Sequence, residues 1–321
     1  MSQRAHTLDI DDPEYFALPS LDQSQLKQFL KNPADWAFAR LGGEESQPTD
    51  AMRFGTAFHA FLMGTGNVVS LDEGETYKSA RNRQWRTEQE AAGNIVVSYS
   101  DLTLLKRMRS NIEKISGRDG YPDYMGMIQE GTCEQAIEWT DAATGLTLKA
   151  KPDLIPAGTD FLVDLKTAAA ADEDSFSRSA FDHGYHIQAE FYRQAVALCP
   201  DGMFNRGTRV PKSVQFWVFE KTGACDWQPF TISAESPIAE FARTSIRQAL
   251  TGISLMASLG AEAGYGDKDS ADTAAKWILA SGYGSVEMPD GSVLAAGYDK
   301  RPKELGVPDW ALRKAMLTVG A

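Results

Sequence analysis

A chain of 321 residues, 43% hydrophobic and 24% charged, can bury one large core, or one core with a small appendage. Its net charge of −12 excludes a surface that is basic all over, so any contact with nucleic acid must be local. No apolar run approaches the roughly 18 residues of a membrane span, the start of the chain lacks a signal peptide's apolar region, and three isolated cysteines (Cys133, Cys199 and Cys225) suit a reducing cytoplasm.

In chain order, helices are expected over residues 23–30 and 51–63. In the second, Phe54, Ala57, Phe58, Phe61 and Leu62 recur at helical spacing and form one apolar stripe, with His59 beside it. A histidine there is either a satisfied core side chain or a neutral imidazole that ligates a metal. Between Thr76 and Arg118 lie nine basic and four acidic side chains, a net +5 that leaves −17 for the rest of the chain. Within it, Arg81-Asn82-Arg83-Gln84-Trp85-Arg86 interleaves cations with an aromatic, as backbone-tracking segments do. Arg81, Arg83 and Arg86 are therefore candidate DNA contacts, the alternative being a solvated helical face. Lys149, Arg206, Arg209 and Lys212 form a second phosphate-facing candidate set. A further helix is expected over 101–115.

Strands are expected over 132–139, 146–155 and 161–166. On the first, Glu134 and Glu138 share a face, pointing into a site or away from it. The next two flank a turn through Pro156-Ala157-Gly158 and read as an antiparallel hairpin. The first arm carries Lys151-Pro152-Asp153 and the second Val163-Asp164-Leu165-Lys166. Period-2 geometry places Asp164 and Lys166 on one face, within reach of Asp153 across the hairpin. Two carboxylates can hold a hard divalent cation through oxygen, and the ammonium can orient or help ionise a metal-bound water beside a phosphate. The bland alternative is a weak surface ion pair. Pro-Asp recurs at Pro122, Pro200, Pro289 and Pro308, whereas Asp/Glu-x-Lys occurs only at Asp164.

Helices follow over 173–181 and 186–198. On the latter, Gln188 and Tyr192 are i, i+4 neighbours that either hydrogen-bond a phosphate or attacking water, or pack against the sheet. Strands over 213–220 and 226–232 and a helix over 236–258 complete a domain of residues 1–259. Residues 260–267 read as a linker to a C-terminal extension, 260–321, with short helices over 271–280 and 310–317.

The order Gly55-Thr56-Ala57-Phe58-His59, Lys151-Pro152-Asp153, Asp164-Leu165-Lys166-Thr167, then Gly184-Tyr185-His186 with Gln188 and Tyr192, resembles the RecE-type exonucleases. These are the exodeoxyribonuclease VIII-like, phage-encoded branch of the PD-(D/E)xK superfamily. The segments Leu21-Asp22-Gln23-Ser24-Gln25-Leu26 and Asn32-Pro33-Ala34-Asp35-Trp36 are similar to that family's entry segment. The resemblance implies an α/β, restriction-endonuclease-like core, a mixed sheet flanked by helices. It implies that His59, Asp153 and Asp164 ligate metal, that Lys166 is the catalytic lysine, and that Gln188 and Tyr192 are the branch's helix pair. Asp164 stands where many members have Glu, a change within the family's pattern. Three scattered cysteines cannot build the four-cysteine iron–sulfur cluster of some superfamily members.

The expected activity is that of a deoxyribonuclease using Mg²⁺ (or Mn²⁺) to digest linear double-stranded DNA from a free end. The resemblance adds 5′ to 3′ polarity, a 3′ single strand left for recombination by an annealing protein of the RecT type, and a ring-shaped homo-oligomer. The alternatives are an endonuclease or structure-specific nuclease on the same fold, and a catalytically silent DNA-binding scaffold.

Overall fold

The structure, a computed structural model, describes residues 4–43, 49–200, 203–205, 210–282, 284–298 and 300–301. The chain opens with strand β1 (His6–Leu8) and helices α1 (Asp12–Ala17), α2 (Gln23–Lys31), α3 (Pro33–Arg40) and α4 (Asp50–Met63). Side-chain caps set the helix starts by satisfying otherwise orphaned N–H groups. Asp22 accepts from Ser24 and Gln25 before α2, Asn32 from Ala34 before α3, and Thr49 from Met52 before α4. Two short strands, β2 (Val68–Ser70) and β3 (Ile95–Val97), pair in parallel on either side of α5 (Ala80–Ala91). Helices α6 (Tyr99–Ile115) and α7 (Tyr124–Glu130) follow.

The strands that frame the site come next: β4 (Thr132–Cys133), β5 (Ala136–Thr140), β6 (Thr147–Ala150), β7 (Leu154–Ile155) and β8 (Phe161–Ala168). After them run α8 (Glu173–Asp182), α9 (Tyr185–Ala197), β9 (Ser213–Glu220), β10 (Trp227–Ser233), α10 (Pro237–Glu262), α11 (Ser270–Ser281) and the hairpin of β11 (Ser285–Glu287) with β12 (Val293–Ala295). The main sheet has the order β10-β9-β8-β7-β4, with β8 and β9 parallel and the other neighbours antiparallel. A second, antiparallel sheet has the order β1-β5-β6.

Alternation along β8 and β9 feeds two cores, one on each face of the main sheet. Leu162, Val214, Phe216 and Val218 pack with α2, α9, α10 and α11, and with the second sheet. Val163, Leu165, Trp217 and Phe219 pack with α4, α6 and α7. The fold is thus α/β, a mixed sheet between helices.

Two expected strands are each split between the sheets. The run 132–139 breaks at Glu134, whose φ of 49° lies in the left-handed region, so β4 joins the main sheet and β5 the second. The run 146–155 breaks at Lys151–Asp153, where Pro152 has no N–H to give to a ladder. The break separates Glu134 from Glu138: the latter sits in the second sheet, accepts from the Ser20 hydroxyl and faces His6 at 3.6 Å.

The linker expected over 260–267 also differs, because α10 continues to Glu262. Beyond it, α11 buries Ala271, Ala274, Ala275 and Ile278 in the same core as α10, so this part of the extension is integral to the main body. The helix expected over 310–317 lies outside the described residues.

Candidate functional site

The hairpin of β7 and β8 turns through Gly158, whose φ of 67° is one that glycine adopts without a Cβ penalty. Pairing of Leu154 with Val163 sets the register, and with it the face on which Asp164 and Lys166 lie. Asp164 is 1% exposed. One carboxylate oxygen, Oδ2, accepts from Gln188 Nε2 at 2.7 Å, and the same amide nitrogen lies 3.3 Å from the Tyr192 hydroxyl oxygen. The other, Oδ1, lies against the Lys166 ammonium as an ion pair without hydrogen-bond alignment. Gln188 and Tyr192 are therefore brought to the Asp164 carboxylate rather than left to pack on the sheet alone.

Asp153 reaches the next peptide along the strand. Its Oδ2 accepts from the Leu165 N–H at 2.7 Å. His59, on α4, places Nε2 3.0 Å from the carbonyl oxygen of the same residue, Leu165. A carbonyl only accepts, so Nε2 carries the proton and Nδ1 presents a lone pair. That lone pair lies 3.5 Å from Asp153 Oδ2. The sequence thus brings Asp153, Asp164, Lys166, His59, Gln188 and Tyr192 to one place from α4, β8, α9 and the connection between β6 and β7.

Burial dominates the electrostatics. Desolvation raises both Asp153 and Asp164 to about 6, against the opposing pull of Lys166. Desolvation also lowers His59, with Lys166 adding to the effect, so the imidazole is held neutral. For Lys166 burial acts downward, but Asp164 and Asp153 outweigh it and raise the ammonium above its ordinary value. Tyr192 is pushed well up by desolvation and by the two carboxylates, which keeps it a neutral hydrogen-bonding group.

Two carboxylate oxygens and an imidazole lone pair are a donor set suited to a divalent cation. The decisive contact is that of His59 Nδ1 with Asp153 Oδ2, two acceptors facing each other, which only a cation or a proton between or beside them relieves. Among the described residues no group of three or more His, Cys, Asp or Glu side chains is arranged to hold a metal ion.

Several residues around the site were given no role in it by the sequence, or only an open one. Tyr185 places its ring 4.8 Å beneath Lys166 Nζ, with Phe216 at 5.9 Å, a cation–π seat that fixes the ammonium. Lys27 on α2 is lowered to about 8, first by burial and then by Lys166. Glu134 acts on Asp153 and His59 through its charge, and its N–H bonds the Asp153 carbonyl at 2.9 Å. A backbone kink from a non-glycine residue has no periodic signature; Tyr185 was within view, three residues before Gln188 on the same helix face.

The basic segment folds as α5, which has no buried residue. Arg86 pairs with Glu90 at 2.7 Å and sits over the Tyr77 ring at 5.3 Å. Arg83 donates to the carbonyls of Lys78 and Tyr77, and Arg81 is exposed. Arg86 also lines a groove of about 1040 Å³ with Arg53, Tyr77, Asp101 and Lys221, walled by none of the carboxylate-site side chains. Of the second candidate set, Lys149 is 2% exposed and donates to the carbonyls of Tyr15 and Leu18 at 2.9 Å each, which removes it from any phosphate-facing role. Lys212 pairs with Asp160 at 2.8 Å, and Arg206 and Arg209 lie outside the described residues.

With this geometry in place, residues 22–258 match the family described as PDDEXK-like domain of unknown function (DUF3799). The chain belongs to that family. Membership places it in the PD-(D/E)xK nuclease superfamily, whose restriction-endonuclease-like fold is the one seen here, and whose members use divalent metal ions. No curated protein matches the chain. Among solved structures, a "Putative exonuclease" from Eubacterium rectale is similar at 16% identity over 75% of this chain and 84% of that one, with a TM-score of 0.48. No helix among the described residues is long and apolar enough to cross a membrane.

Proposed function

We propose that the protein is a Mg²⁺-dependent deoxyribonuclease that degrades linear duplex DNA from an end. The observation that carries this reading is the convergence of Asp153, Asp164 and Lys166 on one buried point, with His59 facing Asp153 and Gln188 holding Asp164. Asp153, Asp164 and His59 would hold the metal, and Mn²⁺ would substitute. When bound, the metal supplies Lewis acidity and lowers the pKa of a water molecule.

The chain's own groups have distinct tasks in hydrolysis. Water oxygen adds to phosphorus and passes a proton to a neighbouring water, and the P–O bond to the departing sugar breaks, its oxygen taking up a proton from water. Lys166, held charged by the carboxylates and seated on Tyr185, offsets negative charge on the phosphoryl oxygens as it develops. Gln188 fixes the rotamer of Asp164, and Tyr192, one turn further along α9, accepts from the same Gln188 amide. Burial excludes bulk water and strengthens each of these interactions.

The finer assignments rest on motif order. The run from Gly55-Thr56-Ala57-Phe58-His59 to the Gln188–Tyr192 pair supports the RecE-type branch. With it come 5′ to 3′ polarity, a product 3′ strand for a RecT-type annealing partner, a ring-shaped oligomer, phage origin and a cytoplasmic location. Arg81, Arg83 and Arg86 would track the DNA backbone along the exposed face of α5. Purified protein incubated with Mg²⁺ and either linear or closed circular duplex tests the reading. Degradation of the linear form alone is expected; nicking of the circle would identify an endonuclease, and inertness towards both a silent scaffold.

A further inference from the structure

Lys27 stands where α2 meets the junction of α8 and α9. It is half-buried, and its ammonium donates to the His183 carbonyl at 3.1 Å. Gly184 makes room for the stem: a Cβ there would stand 2.7 Å from Lys27 Cδ. One residue further on, the Tyr185 ring carries the Lys166 ammonium at 4.8 Å. Two lysines from different elements thus meet the chain on either side of Gly184. The charges feel each other, because burial first and Lys166 second hold Lys27 down at about 8.

The two cations are unequally matched. Lys166 has Asp164 against it as an ion pair. Lys27 has no carboxylate within ion-pair distance among the described residues, and its hydrogen bond goes to an uncharged carbonyl. Asp164 and Asp22 act on it only from further away. A carbonyl offsets little of the cost of burying an ammonium, and a like charge nearby adds to that cost. If Lys27 served only to close the end of α8, an uncharged donor would do so without it. An ammonium has three donors; one meets His183, and two are left for oxygen. The substrate proposed for this site supplies the missing charge, since a DNA phosphate presents non-bridging oxygens that two ammonium groups can share.

We propose that Lys27 is a second phosphate-binding residue of the carboxylate site, sharing with Lys166 one phosphate of the DNA strand held there. The proposal rests on the nuclease reading, and the test separates the two by reading binding. The full-length protein, with Ca²⁺ in place of Mg²⁺ and intact DNA confirmed by gel, is titrated with a fluorescein-labelled linear duplex at several salt concentrations. Lys27→Met keeps the stem and loses the charge. It is expected to bind about tenfold more weakly, the scale of one charge-assisted hydrogen bond. Its slope of log K against log salt is expected to fall by about 0.9, one phosphate contact. Lys27→Arg is expected to restore both. In a second arm an uncharged methylphosphonate replaces one linkage of the duplex at a time. At the linkage that Lys27 meets, Lys27→Met and wild type are expected to bind alike. Without DNA, Lys27→Met is expected to melt no lower than wild type.

Equal affinity and equal salt slope for wild type and Lys27→Met would overturn the proposal. So would a Lys27→Met deficit that persists at every methylphosphonate linkage, since the charge would then act without meeting a phosphate. A lower melting temperature with an unchanged salt slope would make Lys27 a structural cap of α8 instead. Wild-type cleavage of linear duplex in Mg²⁺ together with Lys27-independent binding would sink the role of Lys27 and leave the nuclease reading intact. The reverse pattern, Lys27-dependent binding with no cleavage, would keep the phosphate contact and sink the nuclease.

Discussion

His59 and Asp153 together hold the backbone of one residue: the imidazole Nε2–H bonds the Leu165 carbonyl at 3.0 Å while the Asp153 carboxylate takes the Leu165 N–H at 2.7 Å. Leu165 lies between Asp164 and Lys166, so both flanking side chains are held in register by this clamp. The strand β7 pairs with β8 at Leu154 and Val163 and stops short of Leu165. Two functional side chains thus complete a ladder that the sheet leaves open.

His59 should matter for activity more than for stability. His59→Ala removes one part-buried hydrogen bond, worth about 1 kcal/mol, and the lone pair at Nδ1. Loss of Mg²⁺-dependent cleavage is expected with a melting temperature within a few degrees of wild type. A large drop in melting temperature with cleavage retained at low temperature would make His59 a core residue after all.

Asp164→Asn keeps the shape of the side chain and removes its charge. Cleavage of linear duplex in Mg²⁺ should fall below detection, at least about a thousandfold, the loss expected when a principal electrostatic group is removed. Wild-type turnover in a preparation free of host nuclease would remove Asp164 from the site.

The same substitution should stabilise the protein when no metal is present. Asp164 rises from 3.8 in its ordinary state to about 6 in the fold, so between those values the folded chain binds more protons than the unfolded one. Stability from this group is complete below about pH 4 and is lost as pH rises through about 6. In EDTA, Asp164→Asn and wild type should melt together near pH 4. The variant should melt about 2–4 °C higher near pH 7.5, the shift of a 1 kcal/mol gain in a domain of this size. Melting curves that stay parallel across this range would contradict the assigned shift.

Neutralising α5 probes the path of the duplex. If Arg81, Arg83 and Arg86 each meet a phosphate, changing all three to Gln lowers the slope of log K against log salt by about 0.9 per lost contact. The existing Arg86–Glu90 pair at 2.7 Å competes with such contacts, so a drop of less than the full three is expected. Identical slopes for variant and wild type would route the DNA elsewhere.

Local periodicity made much of this legible. The two-residue repeat through Val163-Asp164-Leu165-Lys166 and the stripe of Phe54, Ala57, Phe58, Phe61 and Leu62 fixed the faces on which Asp164, Lys166 and His59 lie. The i, i+4 spacing of Gln188 and Tyr192 anticipated their contact. What stayed hidden depends on tertiary position. Glu134 breaks a strand at φ 49° although glutamate has no preference for that region. Lys149 alternates like a surface residue, yet β6 turns it inward. The role of α11 could not be read because small alanines at helical spacing mark a close-packed face only once the partner helix is known.

The buried Lys149 has a practical corollary for how the protein can be shortened. Its ammonium is solvated by two main-chain oxygens, those of Tyr15 and Leu18, and by the Tyr15 ring at 4.9 Å. Every one of those groups precedes residue 22, where the family match begins. An expression product trimmed to the matched region would keep the cation and discard its entire internal solvent, directly upstream of the strand break that carries Asp153. The leading helix is in that sense part of the hydrophobic core's insulation, and a truncation chosen from family boundaries alone would strip it.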